Sequence, residues 1–426
     1  MHHHRSIWII GCVAVVIAVS GCRKNPLHCD GHPDNECDEL ADAPPIDTPP
    51  GCTGDPQCSG SAAVCNLATA TCVQCTSAEA TACVGTTPTC GSDDACRACA
   101  AHADCPSAAC LPDGSCGTDA NVAYVAPTGT DNALCTKAMA CTKVAKALAT
   151  GRPFVKFTGT TNEQVSINNQ NVTLLADPGA KLSFTSAGVI LKVDGTSVVT
   201  IHDLAITDGL GATGIGISMP AGNAAALTLD HVNVTNNAGG GISASGGTLT
   251  VTQSTISANQ GGGILMSTTG VAVVTNNFID HNGNTTTASA GGLSLKPATG
   301  SRVEFNTIVD NQANLGAASA GGVFCDVAGF VAADNLVFRN TGGPSGTVQT
   351  FGNCTYGNSF NAPGSSASDN TPGFASPNSQ PFDYHLTATT PTTILNAAGA
   401  CTGVDFDGDT RPLGGACDLG ADEFKQ

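Results

Sequence analysis

The sequence predicts an all-β chain, a solenoid of stacked β-coils preceded by a small disulfide-rich module. Three observations carry this. Six segments of twelve residues align without gaps between residues 197 and 340. Of 22 cysteines, twelve fall between positions 52 and 116 at a regular spacing. Glycine is abundant, at 51, while charged residues make up only 12%, about half the usual share.

Charge and cysteine content bound the function. The formal charge is −18, with 16 Lys and Arg. A nucleic-acid partner is not expected, because it demands a basic footprint. Direct adhesion to anionic lipid headgroups is disfavoured for the same reason. So many cysteines belong in an oxidising compartment.

Residues 1–21 supply the address. Three histidines and Arg5 make a short positive region, and Ile7 to Val19 form an apolar run. That run is too short to span a bilayer but suits a signal peptide. It ends Val19-Ser20-Gly21-Cys22, which resembles the lipobox of bacterial lipoproteins. The resemblance implies cleavage before Cys22, lipidation of that cysteine and stable anchoring in the membrane by several acyl chains. Arg23 in place of Asp implies, by the family's sorting rule, no retention at the inner membrane, hence the outer membrane or cell surface. The alternative is an ordinary secretory peptide with a chance Cys. Setting aside Cys12 and Cys22 leaves 20 cysteines, an even number, as complete pairing requires.

Residues 22–51 are the linker. The stretch DELADAPPIDTPPG, with Pro44, Pro45, Pro49 and Pro50, is extended and acts as a semi-rigid spacer.

Residues 52–120 form the cysteine module. The cysteines fall in three sets of four, 52, 58, 65, 72, then 75, 83, 90, 96, then 99, 105, 110, 116. Units this short bury little apolar core, so cross-links must hold them. Three connectivities are open for each unit. The pattern resembles the Cys-rich repeats that precede the main domain in some bacterial surface lipoproteins. A zinc-ribbon spacing also exists in Cys72, Cys75, Cys96 and Cys99, but it straddles unit boundaries and explains four cysteines where the repeat explains twelve.

Residues 121–426 are the solenoid. The segments SVVTIHDLAITD, ALTLDHVNVTNN, TLTVTQSTISAN, VAVVTNNFIDHN, GSRVEFNTIVDN and GFVAADNLVFRN end at Asp208, Asn237, Asn259, Asn282, Asn311 and Asn340. Their ninth positions, Ala205, Val234, Ile256, Ile279, Ile308 and Val337, are all apolar. Short alternating β-branched runs bounded by Asn and Gly are strands joined by turns, and a period of 22 to 29 makes them a solenoid. Equivalent positions stack about 4.8 Å apart. The apolar column becomes the core, and the Asn column becomes a ladder of side-chain amides. Glycine supplies the unusual dihedrals at bends.

The series resembles the right-handed parallel β-helix of the pectin-lyase type. YVAPTGTDNALCTKAMACTKVAKALATG (124–151) is similar to the opening of many β-helix surface proteins, with a short helix around Lys143 to Ala149 capping the first coil and Cys135 and Cys141 stapling its loop. DYHLTATTPTTILNAAG and DFDGDTRPLGGACDLGADEF resemble the closing signature of the choice-of-anchor Q type. Cys401 and Cys417 are expected as a further disulfide pair. Cys325 and Cys354 are 29 residues apart, equal to the neighbouring coil interval, so they are expected on adjacent rungs and bonded.

Solenoids of this resemblance include polysaccharide lyases and hydrolases, so an active site must be sought. Lyases of the fold use an acidic calcium cluster with Arg or Lys as base, and hydrolases use neighbouring Asp with His. The coils hold no Asp-Asp pair. Position eleven of the last three segments stacks His281, Asp310 and Arg339. An Asp between His and Arg is a catalytic acid–base candidate; the plainer reading is a surface ion pair between rungs. Insertions 283–290 and 312–320 should project along the same edge, where insertions build binding faces, yet they offer neither carboxylate nor aromatic. Asp405, Asp407 and Asp409 resemble the start of a calcium loop, but the twelfth position is Ala416 rather than Glu. Calcium of a non-EF kind is one reading of them, with no other cofactor expected; a carboxylate-capped turn with Arg411 as partner is the other.

The expected molecule is a lipid-anchored rod with a structural or recognition role, polysaccharide being the partner its fold class points to. The rival is a lyase or hydrolase.

Overall fold

The computed structural model describes residues 51–267 and 269–425; the signal region, Cys22 and most of the Pro-rich linker lie outside them. Three parallel sheets of ten, nine and eight strands run the length of the rod. Each complete coil gives one strand to each sheet. In one such coil these strands are Thr248–Thr252, Thr255–Ser257 and Ile264–Met266, with Leu249, Val251, Ile256 and Ile264 turned inward and buried.

The apolar column Val234, Ile256, Ile279, Ile308 and Val337 is buried throughout. In the first segment the register differs from the gap-free alignment. Ile206 lies beside Val234, while Ala205 lies beside Asn233. The alternation had slipped by one residue, and a slip of one exchanges the inner and outer faces.

The asparagine ladder is continuous. Asn237 Nδ2 donates to Asn259 Oδ1, Asn259 to Asn282, Asn282 to Asn311, and Asn311 to Asn340, each at 2.9 Å. Asn340 donates to Gln349 Oε1 at 2.8 Å. At the other end Gly209 N, not the Asp208 side chain, donates to Asn237 at 3.0 Å. A second ladder, not anticipated, links Asn277, Asn306 and Asn335 at 2.9 Å per step. Full burial with every amide partnered is what makes such polar columns tolerable in a core.

Each ladder residue follows a corner in left-handed backbone. Asn236, Ala258, His281, Asp310 and Arg339 have φ between 52° and 58°, as do His231, Asn276, Phe305 and Asp334 at 55° to 56°. Bends of this kind are uncommon for non-glycine residues. Here the amide bonds hold them, and the three-residue strands of the nine-stranded sheet lie between the two corner columns.

The outward face of that sheet changes along the rod. Early strands present Asn233, Thr235, Thr255 and Ser257, which remain at least partly accessible, whereas later ones present Phe278, Thr307, Val309, Leu336 and Phe338, all buried. The C-terminal segment covers this second stretch with Phe374, Tyr384, Leu386, Ile394 and Leu419. It begins with an antiparallel hairpin, Phe374–Ser376 against Asp383–Leu386. Gly420 N donates to Asp334 O and Ala421 N to Thr307 Oγ1, both at 3.0 Å.

At the opposite end, the helix Val144–Leu148 buries Val144, Ala147 and Leu148 against the first coil. Beside it Cys135 bonds Cys141. The cysteine units share one connectivity, first to third and second to fourth: Cys52–Cys65 with Cys58–Cys72, Cys75–Cys90 with Cys83–Cys96, and Cys99–Cys110 with Cys105–Cys116. The zinc-ribbon spacing is thereby consumed in disulfides. The third unit docks on the rod through Ala109 and Leu111 against Val122, Tyr124 and Leu175, and Tyr124 Oη donates to Ser107 O at 2.8 Å.

Cys325 and Cys354 are bonded between adjacent coils, with Cα atoms 5.5 Å apart. The last coil is shorter than its neighbours, so Phe324 faces Phe351 and Cys354 lies just past the strand. Cys401 bonds Cys417.

Candidate functional site

The corner preceding each ladder Asn turns its side chain outward, so His281, Asp310 and Arg339 form a column along one edge of the nine-stranded sheet. They do not act as one unit. Arg339 grips Asp310 with both arms of its guanidinium, Nε to Oδ1 at 2.8 Å and Nη2 to Oδ2 at 2.6 Å. The Arg339 side chain is only 4% exposed and that of Asp310 17%, so this is no surface ion pair. Arg339 also donates to the carbonyls of Ala367, Asp369 and Pro377 and to Asn378 Oδ1. Tyr384 Oη donates to Asp310 Oδ2 at 2.7 Å. Burial first, then the Asp310 charge, pushes the Tyr384 phenol well above its ordinary range, so it remains a donor. Arg339 and Asp310 are therefore a clamp that fastens the C-terminal segment to the rod.

His281 takes a different partner. Its Nδ1 lies 2.9 Å from Asp280 Oδ1, and its ring stacks on Phe382 at 4.0 Å. Tyr384 Oη is 3.4 Å from the same nitrogen. Ser257 Oγ donates to Asp280 at 2.7 Å, tying this pair to the preceding coil.

Two clefts flank the loop Gln380–Phe382 where the covered stretch begins. The larger, about 820 Å³, is lined by Thr235, Asn236, Ser257, Gln260, His281 and Phe382 among others. Gly283, Asn284 and Gln312, from the two insertions, lie on its rim. The smaller, about 550 Å³, runs between Thr255, Phe278, Asp280, Tyr384, His385 and Phe406. The lining of the larger cleft is mostly neutral hydrogen-bonding groups beside one aromatic stack, a combination suited to an uncharged polyhydroxylated ligand.

Asp280, Phe382 and Tyr384 were not singled out in the sequence. The signal existed in the change from Thr255 and Ser257 to Phe278 and Val309 at outward positions, which marks a face that something must cover.

Asp405, Asp407 and Asp409 do not converge. Asp405 Oδ1 accepts the N–H groups of Asp407 and Asp409 at 3.0 and 2.8 Å, and Oδ2 accepts Glu423 N at 3.0 Å. Asp409 pairs with Lys425 and Asp407 with His385. Asp405 thus caps the turn, but the expected partner was misassigned. Arg411 is bound instead to Glu423 at 2.9 Å, both side chains at most 2% exposed, with its guanidinium over Phe305.

The family described as "right handed beta helix region" matches residues 187–371. The crystal structure of pectate lyase Pel9A aligns with 71% of this chain and 96% of its own at 12% identity, with a TM-score of 0.42. No curated protein matches the sequence.

Proposed function

We propose that the protein is exported, anchored through Cys22, and uses its β-helix to recognise polysaccharide along the open part of the nine-stranded sheet. The cleft that joins Thr235, Asn236, Ser257 and Gln260 to the His281–Phe382 stack carries this reading. A saccharide would find hydroxyl and amide partners on successive rungs and a flat ring face at one end. Nine disulfides among the described residues favour an oxidising compartment, and the lipobox resemblance supplies the anchor.

A second reading is glycan cleavage, favoured by one observation: His281 lines the larger cleft with Nδ1 held by Asp280, the arrangement of an oriented base. One experiment separates the two. Neutral and acidic polysaccharides are incubated with the full chain, and both binding and new reducing or unsaturated ends are followed. Binding without products, weakened about tenfold by Phe382→Ala, is expected. Products that vanish in His281→Ala would make the protein an enzyme, and neither binding nor products on any glycan would overturn both readings.

A further inference from the structure

We propose that His385, Asp407 and Asp422 form a binding site for a divalent cation of the zinc class. One donor atom from each residue lies within 4.8 Å of the other two, and His385 Nε2 is 3.1 Å from Asp407 Oδ2. A tetrahedral ion bonded at about 2.0–2.2 Å holds its donors roughly 3.3–3.6 Å apart, so small side-chain movements complete the set.

The imidazole is already arranged for such a role. Its Nδ1 lies 2.6 Å from Asp383 Oδ1, the carboxylate–histidine pairing that orients metal-bound imidazoles and directs the other nitrogen to the ion. That other nitrogen, Nε2, is buried and makes no hydrogen bond, although a carboxylate oxygen faces it. With the Nδ1 proton committed to Asp383, a neutral imidazole turns its Nε2 lone pair toward Asp407, a gap that either a second proton or a metal cation fills.

Charge and surroundings agree. Asp383, Asp407 and Asp422 surround a single imidazole, which even when protonated leaves an excess of negative charge. Asp422 is 6% exposed and is fixed by the Leu386 N–H at 2.6 Å. Phe278 and Phe406 pack at the edges of the imidazole, and the smaller cleft gives access from solvent. A nitrogen donor with two carboxylates suits zinc-class ions, whereas calcium takes six to eight oxygens.

The test uses the full chain with disulfides formed, stripped by chelator and titrated calorimetrically with Zn²⁺ and, separately, Ca²⁺. The three histidines at positions 2–4 can also bind zinc, so variants assign the site. One equivalent of zinc should be lost in both Asp407→Asn and His385→Gln, and its affinity should fall at least ~10-fold in Asp383→Asn. Asp407 is half-exposed, so its variant should retain the wild-type melting temperature without metal. Zinc binding unchanged in Asp407→Asn and His385→Gln, absence of zinc binding, or calcium binding as tight as zinc would each overturn the proposal.

Discussion

Two stretches of the nine-stranded sheet share one backbone and differ in what they turn outward. The coils carrying Asn233, Thr235, Thr255 and Ser257 leave a polar strip beside a cleft. The coils carrying Phe278, Val309, Leu336 and Phe338 are sealed by the chain's own C-terminal segment. Inside, the same ladder and the same aliphatic column pass beneath both. The inward pattern specifies the rod, and the outward pattern decides which part of it is left for a ligand. The clefts lie where the two stretches meet.

The sharpest way to break this contrast is Arg339→Ala. It removes the grip on four backbone or amide oxygens of the covering segment and leaves Asp310 without its guanidinium. Losing one partner of a largely buried pair costs about 3–5 kcal/mol. Denaturant unfolding should show that loss, and limited proteolysis should cut first between residues 366 and 379. If the segment stays protected, apolar burial alone holds it.

Asn282→Ala should cost less, about 2–3 kcal/mol, because Asn259 Nδ2 and the Asn259 N–H lose their acceptor and buried unpaired donors carry that penalty. Lying beneath both stretches, it should loosen them together. Equal loss of amide-exchange protection on either side of the Gln380–Phe382 loop checks this; loss confined to one side would show that the ladder is not cooperative.

The smallest effect concerns the far boundary of the open strip, where the third cysteine unit docks. His102 Nδ1 accepts Cys110 N–H at 3.0 Å, and Nε2 lies 3.2 Å from Ala176 O, bridging module and rod in the neutral form. Burial, then the charge of Lys156, lowers its pKa below the ordinary 6.5, against the opposing pull of Asp177 and Asp203. The folded state therefore binds the proton less well than the unfolded state. Stability from this bridge is complete above about 6.5 and is lost as pH falls through the lowered value. Amide protection factors at Leu111 and Tyr124, taken against the intrinsic rate at each pH, should fall on acidification in the wild type and lose that pH dependence in His102→Gln.

Much of the fold was legible because a solenoid writes its core repeatedly. Val234, Ile256, Ile279 and Ile308 announced a column, and Asn237 to Asn340 announced a ladder. The register of the first segment was not legible, since both Ala205 and Ile206 are apolar and only pairing distinguishes them. The second ladder was hidden because Val232 and Ser254 occupy its early rungs. The column His281, Asp310 and Arg339 was found, but its chemistry depends on Tyr384, Phe382 and Asn378. These come from a segment without periodicity, and no local spacing reveals where it folds back.

The amide ladder also makes the rod a ruler with an adjustable length. Every step from Asn237 to Asn340 is interchangeable, while the fittings at the ends, the docked cysteine unit and the Arg339 clamp, each engage only nearby coils. Duplicating the coil that ends at Asn259 would lengthen the exposed strip by about 4.8 Å and disturb neither fitting. Copying one unit of sequence would thus resize the ligand-facing surface in quantised steps, with no need to redesign either terminus.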